Sequence, residues 1–244
     1  MQQNEQMAYD RGSTIFSPDG RLYQVEYARE AVKRGSVSVG VKTSESVVLI
    51  AEKRVASDLL VSRSIEKIYQ IDDHIAVAAS GHVADARQLV DFARLETQRN
   101  TYMYEEDLDT ETLAKALGDH IQQYTQYGGT RPFGCALLVG GYTRGEPRLI
   151  ESEPSGAIIG YKAAGIGENR AVVEDELEAG YADDLTTDEG LELGLRAMAE
   201  ADETDVESVE AAVVDEDGYH VVEHDRIVEL SPDDTGTSEE PPEE

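Results

Sequence analysis

Apolar positions along the chain change period several times. In "SVSVGVK" and "SVVLIAEKRV" they recur every second residue or run on continuously, which predicts two strands joined at Thr43–Ser46. "SIEKIYQI" and "HIAVAAS" predict a second pair turning at Asp72–Asp73. Upstream, Leu22, Val25, Ala28 and Val32 recur at helical spacing and predict a helix over 20–34. It follows the turn Ser17-Pro18-Asp19-Gly20, carries Glu30 and Arg34 as an i,i+4 pair, and stops at Gly35.

Downstream, "VADARQLVDFARLETQRN" aligns Val83, Ala86, Leu89, Val90 and Ala93 on one helical face, and "TLAKALGDHIQQYTQY" aligns Leu113, Leu117, Ile121 and Tyr124. "RPFGCALLVGGY" and "PRLIESE" predict strands, and "GAIIGYKAAGIG" a strand, a tight turn and a strand. "NRAVVEDELEAGY" and "LTTDEGLELGLRAMAEA" predict helices, the second opened by Thr186 with Glu189 as a capping box. "VEAAVVDEDGYHVVEH" predicts a hairpin turning at "DEDG". The order is a helix, four strands, two helices, four strands, two helices and two strands. Runs of strands between pairs of helices predict α+β layers around one core and argue against a doubly wound sheet.

Composition narrows the function classes. The 244 residues carry 51 acidic and 21 basic side chains, a net charge of -30. Residues 1–122 account for only -6 of it and 123–244 for -24. A nucleic-acid or anionic-membrane partner needs clustered cations and is disfavoured. Dispersed acid, with 15 Arg and 6 Lys, predicts a surface suited to concentrated salt, which screens self-repulsion. No apolar run is long enough to span a bilayer. The polar start "MQQNEQMAYDRG" lacks the apolar core of a signal peptide. One cysteine, Cys135, excludes an internal disulfide framework and fits a reducing cytoplasm.

The stretch "RGSVSVG" raises a catalytic question. A Gly-Ser step before a strand reads as the cut site of a self-processing hydrolase, with Ser36 freed as an N-terminal nucleophile. Other motifs are decoys. "HVVEH" spells a zinc pattern, but that chemistry needs a helix, and here His220 and His224 are expected about 13 Å apart along a strand. "GIGENR" is read as a turn, without the residues of a nucleotide loop. "DEDG" lacks the ligands of a calcium loop. No cofactor or metal is expected.

"AYDRGSTIFSPDGRLYQVEYAREAVKRGS", residues 8–36, resembles the N-terminal signature of archaeal proteasome α-subunits. "SIEKIYQIDDHIA", "SGHVADARQLVDFAR", "IQQYTQYGGTRPFGCALLVGGY" and "PSGAIIGYKAAGIGENR" extend the resemblance to residues 8–230. It implies a four-layer αββα sandwich of the Ntn-hydrolase type. Residues 1–12 would be a mobile gate segment, 13–230 one domain including the helix 20–34, and 231–244 a disordered acidic tail.

The resemblance also implies function. The catalytic β-subunits of the family use an N-terminal threonine, an acid on the second strand and a lysine on the third. The positions here are Ser36, Glu52 and Lys67. The retained segment 1–35 argues against a free Ser36 and for a non-catalytic ring subunit. Such a subunit forms a heptameric outer ring on β-subunits, gates entry of unfolded proteins and docks tails of a hexameric ATPase. Tyr9, Asp10, Arg11, Pro18 and Tyr27 match the gate cluster, with Arg29 helping to position that end of the helix. Lys67 matches the lysine that receives a tail carboxylate, Glu26 its resting partner, and Leu22 and Gly81 the pocket lining. Without the resemblance, Lys67 reads as a solvated strand-end charge, and Tyr23–Tyr27 as an i,i+4 aromatic pair. The family's basic C-terminal helix is expected to be replaced by "SPDDTGTSEEPPEE".

Overall fold

The computed structural model describes residues 14–54, 57, 59–61, 64–201 and 205–232. Helix α1 (Tyr23–Lys33) precedes β1 (Ser38–Lys42), β2 (Val47–Glu52), β3 (Ile68–Asp72) and β4 (Ile75–Gly81). Helices α2 (Val83–Tyr104) and α3 (Thr110–Gln126) follow, then β5 (Cys135–Thr143), β6 (Glu146–Ser152), β7 (Ile158–Tyr161) and β8 (Ala163–Ile166). The chain continues through α4 (Arg170–Gly180), α5 (Thr187–Ala201), a 3-10 turn (Val206–Ser208), β9 (Val209–Asp215), β10 (Gly218–Val221) and α6 (His224–Leu230).

Among the described residues ten strands make two antiparallel five-stranded sheets, ordered β10-β9-β2-β1-β8 and β3-β4-β5-β6-β7. Alternation along each strand sorts its side chains between two interfaces. Val47, Leu49 and Ala51 of β2 meet Ala76, Ala78, Ala136 and Leu138 between the sheets. Val48 and Ile50 point the other way, onto Leu177, Leu191, Leu195 and Met198 of α4 and α5. Val77, Leu137 and Val139 meet Leu89, Leu113, Leu117 and Ile121 of α2 and α3. The result is the expected αββα sandwich. Strands covered on both faces are near-continuously apolar, which is why "SVVLIAEKRV" shows little alternation.

Helix ends follow the capping rules. Asp109 accepts from the N–H groups of Glu111 and Thr112 at the start of α3. Thr186 and Glu189 close the expected box at α5: Thr186 N–H donates to the Glu189 carboxylate at 2.8 Å, and Glu189 N–H to Thr186 Oγ1 at 3.4 Å.

Four expectations need correction. Glu30 pairs with Lys33, not Arg34. In "GAIIGYKAAGIG" both expected strands form but the tight turn between them does not: β7 and β8 are edge strands of different sheets, and the chain crosses between them at Lys162. The strand expected over residues 64–71 begins only at Ile68, so Lys67 precedes β3. "HVVEH" is not one strand: His220 lies in β10 and His224 opens α6, a helix the reading missed because its seven residues bury a single apolar side chain, Ile227. The expected gate segment 1–12 lies outside the described residues, as does the tail beyond Pro232.

Candidate functional site

One end of the sandwich is a mouth between the sheets, and α1 covers it. Val25, Ala28 and Val32 face inward at helical spacing, and Val32 enters the core between the sheets. The helix stops against backbone. Gly35 N–H returns to the Val32 carbonyl, and the Gly35 carbonyl accepts from Glu168 N–H. Gly81 ends β4 at φ +104°, a conformation that favours glycine, and a Cβ there would meet the Gly134 carbonyl oxygen at 2.4 Å.

Ser36, Glu52 and Lys67 come together under this joint. Lys67 Nζ donates to the Ser36 carbonyl at 2.9 Å and to Ser36 Oγ at 2.7 Å. Ser36 Oγ–H donates to the Glu52 carbonyl at 2.8 Å, and Ser80 Oγ–H reaches the Ser36 carbonyl at 2.9 Å. Lys67 and Ser36 are each only 8% exposed. Burial pushes the Lys67 ammonium down to about 8, against the pull of Glu52 and Glu210 and with a smaller push from Arg54. Glu210 also accepts the backbone N–H groups of Lys67 and Ile68 and pairs with Lys53.

A nucleophilic geometry is therefore present, with a hydroxyl beside a lysine of depressed pKa. What it lacks in the uncut chain is a free amine, since the Ser36 nitrogen is in the peptide bond to Gly35 at the end of α1. Ser36 Oγ accepts a hydrogen bond from Lys67, while its own O–H points to the Glu52 carbonyl and not to a base.

The other site residues are placed as follows. Glu26 is bonded to Arg29 at 2.8 Å, so within the chain it is not the partner of Lys67. Arg29 reaches on to Glu153 with two N–H groups, at 3.1 and 2.9 Å. Its guanidinium is held charged chiefly by that contact, and the pair fastens α1 to the loop after β6. Leu22 caps the start of α1 and is half-buried. Tyr27 stacks on Tyr23 with ring centroids 6.4 Å apart, and Pro18 is exposed on a turn closed by Gly20 N–H to the Ser17 carbonyl. Tyr9, Asp10 and Arg11 lie outside the described residues.

Sequence reasoning missed the residues that frame this mouth. Asp85 is buried at the start of α2, takes both arms of Arg131 at 2.5 and 2.7 Å, and accepts Gly134 N–H at 2.8 Å. Burial raises its carboxyl, but those bonds outweigh burial and hold it below the usual range. An acid in a first helical turn was the only available signal. Ser80 and Glu153 gave none.

Among the described residues no group of three or more His, Cys, Asp or Glu is disposed to hold a metal. Among the same residues no helix is long and apolar enough to cross a membrane. Burial pushes the Cys135 thiol up to about 12, which leaves it an inert packing residue.

Comparison with known proteins matches this geometry. The family model described as "Proteasome subunit" covers residues 32–214, and the model of the N-terminal signature of A-type proteasome subunits covers residues 9–31. The chain is 55% identical over 234 residues to proteasome alpha subunit 1 of Haloferax volcanii, covering 95% of this chain and 90% of the relative. It is 55% identical over 217 residues to the proteasome alpha subunit of Halobacterium salinarum, covering 88% and 86%. It is equally identical, over 217 residues, to the proteasome alpha subunit of Methanoregula boonei, covering 88% and 90%. The α-type signature ends inside α1, the helix that covers the mouth, and together with the alpha-subunit relatives it sets aside the self-processing hydrolase; the chain belongs to the proteasome subunit family, as a non-catalytic subunit of the α type.

Proposed function

We propose that this subunit forms a heptameric outer ring, gates the entry of unfolded proteins to catalytic β-subunits, and docks C-terminal tails of a hexameric ATPase, in the cytoplasm. The observation that carries the reading is the cover of α1 over the mouth, with Lys67 buried beneath its last turn. In a catalytic relative this space admits substrate. Here α1 covers it, and the Lys67 ammonium at its floor suits a carboxylate that enters from outside. The gate would be built from residues 1–12 with Tyr9, Asp10, Arg11, Pro18 and Tyr27. Leu22, Glu26 and Gly81 would line the dock around Lys67.

The test is reconstitution with β-subunits in high salt. Deleting residues 2–12 should raise peptide hydrolysis without the ATPase, and unchanged hydrolysis would remove the gate. Lys67→Ala should abolish stimulation by the ATPase and leave particle assembly intact. Normal stimulation would remove Lys67 from the dock.

A further inference from the structure

The geometry points to Ser36 as a positioning residue for Lys67: its carbonyl and hydroxyl together take two of the three ammonium N–H groups and aim the third. This rests on the docking role given to Lys67 above. A lysine is a point charge on a flexible stem, so its direction must be imposed from outside. Here Nζ sits 2.9 Å from the Ser36 carbonyl oxygen and 2.7 Å from Ser36 Oγ, both buried.

Each acceptor is itself fixed. Ser36 Oγ–H is spent on the Glu52 carbonyl at 2.8 Å, so the hydroxyl can only accept from Lys67. The Ser36 carbonyl is held from a second side by Ser80 Oγ–H at 2.9 Å. Backbone crowding keeps the unit rigid: a Cβ on Gly167 would lie 2.6 Å from Ser80 Oγ and 2.7 Å from the Ser36 carbonyl oxygen. The charged groups acting on Lys67 are Glu52 at the end of β2, Arg54 just after it, and Glu210 on β9. Glu210 is occupied by Lys53 and two backbone N–H groups. The third N–H of Lys67 is left for an incoming carboxylate, at a reduced cost in ordering. A serine at the position of the family's nucleophile thus acquires a different task.

The probe is a peptide with the C-terminal sequence of the activating ATPase, carrying a free carboxylate, with its C-terminal amide as control. Binding to the particle assembled with β-subunits is measured from pH 6 to pH 9.5. Ser36→Ala should weaken the free-acid peptide roughly tenfold, with little effect on the amide. It should also move the alkaline loss of binding to lower pH, because the ammonium loses an acceptor. Ser36→Thr, which keeps the hydroxyl, should restore both affinity and pH profile. Unchanged affinity and profile in Ser36→Ala would overturn the proposal. If Ser36→Ala does not assemble, Ser36→Cys supplies a weaker acceptor and should show the same changes in smaller measure; a wild-type profile there would also overturn it. Lys67→Ala separates the two levels. If it binds the free acid normally the dock itself is wrong, whereas lost binding with a wild-type Ser36→Ala refutes only the positioning role.

Discussion

Gly35 and Gly81 meet backbone to backbone: a Cβ on Gly35 would stand 2.3 Å from the Gly81 nitrogen and 2.5 Å from Ser80 Oγ. The obstructing atoms are mostly main chain, which cannot rotate aside. Gly35→Ala should therefore force α1 away from the mouth and cost on the order of 2–4 kcal/mol. Urea titration at fixed high salt, beside Gly128→Ala as a control in open space, measures the difference. Equal midpoints would show that the joint is not tight.

Lys67 should leave a signature in the pH dependence of stability. Its folded pKa of about 8 lies below the ordinary lysine value of 10.5. Between those values the unfolded chain binds more protons than the folded one, so stability rises with pH across the window. The contribution is fully present above about 10.5 and is lost as pH falls through about 8. Lys67→Met should flatten the difference between pH 7.5 and pH 10.5 by on the order of 3 kcal/mol. An identical slope in wild type and variant would mean that Lys67 is not desolvated.

Asp85 ties the start of α2 to the segment before β5 through Arg131 and Gly134 N–H. Asp85→Ala would leave a buried N–H unpaired and a cation without its acceptor. A loss of about 3 kcal/mol is expected. Its carboxyl is depressed, so the stabilisation is present above the ordinary aspartate range and is lost as pH falls through its lowered value. In thermal unfolding the gap between wild type and variant should be constant near neutral pH and begin to narrow only as pH falls below the ordinary aspartate range.

Salt should act on the whole molecule. With a net charge of -30, the folded chain repels itself at low ionic strength. The Debye length falls from about 10 Å at 0.1 M to about 3 Å at 1 M salt, so most of that repulsion is screened in molar salt. The melting temperature should rise steadily from 0.1 M to 2 M KCl, a range chosen on that screening scale. A flat dependence would show that local ion pairs already cancel the field.

What was legible in the sequence follows from what is local. Periodicity placed α1, α2, α3 and the paired strands because Val25, Leu89, Leu113 and their neighbours answer to a single buried face. Turn chemistry placed Ser17–Gly20, and the capping box placed the start of α5. The passage from β7 to β8 was read as a tight turn because a short connection looks the same in sequence whether its two strands stay together or part into two sheets. Helix α6 was missed because seven residues with one buried apolar side chain, Ile227, carry no period. At the site, family likeness brought Ser36, Glu52 and Lys67 together, while the bond of Glu26 to Arg29 within the chain was not foreseen. Ser80, Glu153 and Asp85 act across 44, 124 and 46 positions of sequence, where no local pattern reaches.

The single-residue crossing at Lys162 has a mechanical meaning. It joins an edge strand of one sheet to an edge strand of the other with no slack, like the spine of a book. Pages bound this way cannot slide past each other along the spine. At the opposite edge the turn before β10 lies close to the turn after β3, where a Cβ on Gly218 would come within 2.8 Å of the Asp73 carbonyl oxygen. Shear between the sheets is blocked at both margins. The covered mouth is thus framed by two sheets whose margins are joined at one edge and in close contact at the other.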